Sequence, residues 1–93
     1  MGTVALLLEC LSGCEGAFSV DQGRYRLEAA AGRPGSVCFT VQEIVGHGGQ
    51  ITLGEGFSLD GRLIFEQHTL PEAQVERIIQ EILTPERELV CLN

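Results

Sequence analysis

Lysine is absent from these 93 residues, and that gap excludes more functions than any motif suggests. Without it there is no Schiff base to a carbonyl cofactor, no P-loop lysine and no lysine general base. Pyridoxal enzymes, Walker-type NTPases and kinases are thereby excluded. The six bases are all arginine (Arg24, Arg26, Arg33, Arg62, Arg77 and Arg87), scattered among 13 acids for a formal charge of −7. A protein that tracks phosphates needs clustered cations to displace counterions, so nucleic acid is excluded as a partner. Arginine without lysine is the usage of a GC-rich genome, which fits a bacterial or phage source.

Long apolar runs are missing too. The first, Val4–Leu8, stops at Glu9, far short of the about 18 residues that span a membrane. No basic residues precede it, which argues against a secretory leader. Leu11-Ser12-Gly13-Cys14 resembles the cleavage box of a bacterial lipoprotein, a likeness outweighed by the same missing bases and short apolar stretch. These absences predict a cytoplasmic protein without membrane contact.

What is present reads as one domain over residues 1–93, with 44% apolar residues and no low-complexity block. Thr3–Cys10 is apolar at both alternating positions and predicts a central strand covered on both sides. Phe18 and Val20, then Tyr25 and Leu27, alternate with polar residues around Asp21-Gln22-Gly23 and predict a hairpin. Ala29–Gly35 reads as a loop, and Val37–Val45 as a long strand with Val37, Phe39, Val41 and Val45 on one face and Cys38, Thr40, Gln42 and Ile44 on the other. Glycines at 46, 48 and 49 predict a turn into a strand over 50–53, and Gly54-Glu55-Gly56 predicts another break. Asp60-Gly61 between two apolar runs is the signature of a type I′ hairpin.

Residues 70–83 change period. Val75, Ile78, Ile79, Ile82 and Leu83 recur with helical spacing, Thr69 and Glu72 spell a capping box, and Thr84-Pro85 is a stop. A short final strand is expected over Leu89–Leu92. The whole predicts an α+β fold: seven or eight short, mainly antiparallel strands in a curled sheet or half-barrel, with one C-terminal amphipathic helix. One helix cannot shield so wide a sheet, so either the sheet curls around it or a second subunit, as in a homodimer, supplies cover.

The chemical vocabulary is sparse. Cys10 and Cys14 have three residues between them, a spacing open to zinc with His47 as a further ligand, whereas Cys38 and Cys91 stand singly within apolar strands and are expected as small core residues. A disulfide is the other use of four cysteines. Gly56–Gly61 carries one residue too many for a nucleophile elbow. A Cys14 thiolate beside His47 or His68, and the carboxylate pairs Glu55 with Asp60 or Glu66 with Glu86, need a proximity that spacing does not provide. The glycines at 46–49 and 54–56 lead into strands and so do not form a phosphate cradle.

The expectation is therefore a non-enzymatic accessory protein, regulatory or inhibitor-like, that binds another protein, without catalytic residue, metal or cofactor. Its acidity favours a partner with a basic surface, and Arg24, Arg26 and His47 are the expected contact residues. The alternatives are a thiol or zinc module built on Cys10 and Cys14, and a half-barrel that binds a small molecule.

Overall fold

A computed structural model describes residues 2–84 and 88–92. Helix α1 (Thr3–Gly13) is followed by strands β1 (Ala17–Asp21), β2 (Tyr25–Ala31), β3 (Val37–Ile44), β4 (Gln50–Leu59) and β5 (Arg62–His68), then helix α2 (Glu72–Leu83) and strand β6 (Val90–Cys91). All strand pairs are antiparallel, in the order β5-β4-β3-β2-β1-β6. The architecture is α+β, as expected, with six strands among the described residues in place of seven or eight, and the sheet stays open rather than closing into a half-barrel.

The largest departure from expectation is α1. Thr3–Cys10 is helical, and the helix continues through Ser12 to Gly13. Only Thr3 and Val4 in this stretch are β-branched, while Ala5, three leucines and Glu9 are strong helix formers. Val4, Leu7 and Leu11, at i, i+3 and i+7, point into the core. The helix ends where Gly16 N–H donates to the Leu11 carbonyl, with Glu15 and Gly16 both at positive φ.

Helix α2 matches the predicted stripe, with Val75, Ile78, Ile79, Ile82 and Leu83 all buried. Its predicted capping box does not form. Thr69 Oγ1 donates instead to the Thr52 carbonyl, and the helix starts after Pro71 without a side-chain cap. Nor is the polar face of α2 simply solvated, because the buried Thr3 hydroxyl donates to Glu76 Oε2 and accepts from Gln80 Nε2, each at 2.8 Å. Pro85 and Glu86, on which the predicted helix stop and the Glu66–Glu86 pair rest, and Arg87 lie outside the described residues.

Both helices pack on one face of the sheet, where Leu7 and Leu11 from α1 and the α2 stripe meet Phe18, Val20, Leu27, Val37, Phe39, Val41 and Leu53. Phe39 and Phe65 touch edge to face at 5.3 Å on this side. The cover that one helix could not supply thus comes from the segment read as a strand. No helix among the described residues is long and apolar enough to cross a membrane.

Strand β4 runs unbroken through Gly54-Glu55-Gly56, where a turn was expected. These glycines are required by close approach. A Cβ on Gly54 would lie 2.9 and 3.1 Å from the two Val75 methyls of α2, and one on Gly56 would overlap the Ile64 carbonyl oxygen. Register shifts fall beside them, at Val41/Gln42 and at Glu55/Gly56. The predicted Asp60-Gly61 turn is present, with φ of 52° and 75°.

Candidate functional site

With both helices on one side, the other face of the sheet carries no helix among the described residues, and its composition follows from strand alternation and register. Residues that alternate with the core positions stand in rows across the strands. One row runs Val90, Ser19, Glu28, Thr40, Glu55, Gln67, each residue the register partner of the next. The adjacent row runs Ala17, Ala30, Cys38, Phe57, Ile64, and Leu92 joins its β6 end by donating its N–H to the Ala17 carbonyl. A third row, Asp21, Arg26, Gln42, Thr52, is polar throughout.

The second row is the unusual one. The solvent face of an antiparallel sheet is ordinarily polar, yet this row is apolar from end to end. Its middle is built from the small side chains Ala17, Ala30 and Cys38, so the sheet is hollowed there. The result is a shallow trough of about 300 Å³, lined by these three with Thr40, Leu92 and the acids Glu28, Glu55 and Glu66. Leu92 at 52% and Val90 at 55% relative exposure keep its β6 end apolar and open to water.

None of the three acids has an ion-pair partner among the described residues. Arg26, which stands on this face in the row next to Glu28, is engaged by Asp21 at 3.0 Å. Arg24 is bound by Glu43 at 2.9 Å, and that hydrogen bond raises its guanidinium above its ordinary value. An acidic rim around an apolar floor is the electrostatic character of the trough.

The residues expected to make contact lie elsewhere. Arg24 and His47 come to the same end of the sheet, because Ile44 N–H donates to the Arg24 carbonyl just before the turn that carries His47 at φ 69°. Arg26 stands one row nearer the trough. Both arginines are already paired, Arg26 half-buried and Arg24 exposed, and His47 is exposed on its turn.

The cysteines separate in an unforeseen way. Cys14, just past α1, forms a disulfide with Cys91 of β6, whose register partner is Phe18. The Leu11–Cys14 stretch is therefore the last turn of a core helix followed by a bridged cysteine. Cys14 is not a free thiolate for zinc or for catalysis in this state, and His47 sits at the far end of the strands, about 25 Å along β3. No cluster of three or more His, Cys, Asp or Glu arranged to hold a metal occurs among the described residues. Cys10 is buried as a core residue, whereas Cys38, expected in the core, is exposed on the trough floor.

Other sequence candidates resolve into structure. His68 Nδ1 is hydrogen-bonded to the Leu70 carbonyl oxygen at 2.7 Å and its Nε2 lies 3.6 Å from Glu72, so this histidine braces the entry to α2. Ser58, in the elbow-like stretch, is buried and accepts the Val37 N–H at 3.0 Å. Phe39, Phe65 and Ile79 pack on the helix side of the sheet, and Phe57 falls on the open face. Sequence reading missed the trough because its residues come from separate strands. The available signal was the outward set of each strand, aligned through the two hairpin turns. No family model matches this chain, nor does any curated protein or solved structure.

Proposed function

We propose that this chain is a small non-enzymatic accessory protein that binds another protein through the bare face of its sheet. The observation that carries the reading is the apolar row Ala17, Ala30, Cys38, Phe57, Ile64 on a face that no helix covers. Contiguous apolar surface rimmed by polar residues is characteristic of interaction sites. A flat, open trough suits a macromolecular surface better than a small ligand, which needs most of its own area enclosed.

The disulfide bears on where such a protein works. Bridges of this kind persist where thiols are not kept reduced, so Cys14–Cys91 favours an oxidising compartment over the cytoplasm that the sequence predicts.

The test is affinity capture from the native host with wild-type protein and Ala30→Arg in parallel. Ala30 is exposed, so the variant keeps its thermal midpoint while filling the trough. A specific partner retained by wild type and lost by Ala30→Arg supports the reading. Identical recovery with both proteins, or no partner with either, refutes it.

A further inference from the structure

Resting on that reading, we infer that the trough accepts a cationic side chain, arginine or lysine, presented by the partner protein. Its alkyl stem lies on Ala17, Ala30 and Cys38, and its charge sits between Glu28 and Glu55.

The geometry supplies each element. Glu28 and Glu55 are both register partners of Thr40, one from each side. They therefore stand two strand spacings apart, about 10 Å, and a charge above Thr40 lies about 5 Å from each. Glu66 adds a third carboxylate to the lining. Long basic side chains cover apolar surface with their methylenes while the charged head stays among polar groups. An apolar floor beside an acidic row has the complementary pattern. The three acids have no cation of their own among the described residues, so a partner cation meets no internal competitor.

The same charges disfavour a second copy as the occupant. A two-fold contact through this face would bring two sets of these carboxylates onto one interface, in a chain already at −7. An anionic ligand meets the same repulsion. The homodimer expected from the sequence drew on strand edges and on a helix-side face that α1 now covers.

Two readouts test the inference on the oxidised protein. An extended peptide alternating valine with arginine is titrated into isotope-labelled protein, beside a peptide with glutamate in place of arginine. The arginine peptide is expected to shift the amides of Ala17, Ala30, Cys38, Thr40 and Glu55, with affinity falling about tenfold in Glu28→Gln/Glu55→Gln and falling further with salt. It is also expected to slow alkylation of Cys38 by iodoacetamide, which is exposed whereas Cys10 is buried. Equal shifts from both peptides, shifts confined to Arg24 and His47, no shift at millimolar peptide, or a dimer that Ala30→Arg dissociates would each overturn it. Failure of this inference is separable from failure of the binding reading. A host partner held equally by wild type and by Glu28→Gln/Glu55→Gln, yet lost by Ala30→Arg, removes the cation and leaves the interface. A partner indifferent to Ala30→Arg removes both.

Discussion

Gly54 and Gly56 offer a paired test of how the helices sit on the sheet, because the same substitution meets two different obstacles. In Gly54→Ala the added methyl lies 2.9 and 3.1 Å from the Val75 Cγ atoms and 3.4 Å from Phe65 Cε2. Side chains and a helix can retreat by a few tenths of an ångström, and overpacking of this kind costs about 1–3 kcal/mol. Against that stands about 0.4–1 kcal/mol from restricting the unfolded chain, so a net loss of about 1–2 kcal/mol is expected. In Gly56→Ala the methyl overlaps the Ile64 carbonyl oxygen and lies 2.9 Å from that carbonyl carbon and 3.0 Å from Phe65 Cα. Backbone of a paired strand has nowhere to go without breaking the β4–β5 ladder, so the loss should exceed about 3 kcal/mol. Neither glycine has positive φ, so the effect is steric rather than dihedral. Urea unfolding followed by far-UV circular dichroism gives both values from the midpoints. Adding Val75→Ala should recover part of the Gly54→Ala loss, because it removes the two clashing methyls, and should leave the Gly56→Ala loss unchanged. A Gly54→Ala protein more stable than wild type, or a Gly56→Ala protein less affected than Gly54→Ala, would refute the close approach of α2 and the β4–β5 register.

Leu7→Ala should cost about 2–5 kcal/mol by the same assay, since Leu7 is fully buried between α1 and the sheet; a loss near zero would mean that α1 does not cover the core. Replacing Cys14 and Cys91 together by serine opens a bridge spanning 77 positions, and chain entropy for a loop of that size predicts a loss of about 4–5 kcal/mol. Unfolding midpoints that match with and without reductant would contradict it. Thr3→Val should lose about 0.5–1.5 kcal/mol, because it removes the hydrogen bonds that the buried Thr3 hydroxyl makes to Glu76 and Gln80 at the α1–α2 contact. A cycle with Gln80→Ala that shows no coupling would count against that contact.

Most of the sheet was legible because one-sided burial prints a period of two. Phe18/Val20, Tyr25/Leu27 and Val37/Phe39/Val41 all turned inward, as their alternation requires. The α2 stripe and the Asp60-Gly61 turn were equally plain. Thr3–Gly13 was not, because a run apolar at nearly every position satisfies both periods, and Ser12-Gly13 looked like an earlier stop than it is. Gly54 and Gly56 read as loop residues because a missing Cβ marks both freedom and contact, and only a facing Val75 or Ile64 distinguishes them. The Cys14–Cys91 pairing depends on β6 lying beside β1, a long-range choice that no local spacing encodes.

That misread helix also relocates the binding argument. A sheet with one helix has apolar surface to spare on its helix side, and a partner would be sought there. With α1 in place that side is filled by Leu7, Leu11 and the α2 stripe, so spare apolar surface must be looked for among the outward residues. Alternation alone makes them look ordinary, because each strand contributes only one or two small or apolar residues. Register changes the picture by lining up Ala17, Ala30 and Cys38 across three neighbouring strands, with Phe57 and Ile64 continuing the line. Larger or charged residues at those three positions would be cheaper in solubility and would shield the strands from water. Their smallness is therefore the feature that folding leaves unexplained, and it is the one on which the proposed binding reading rests.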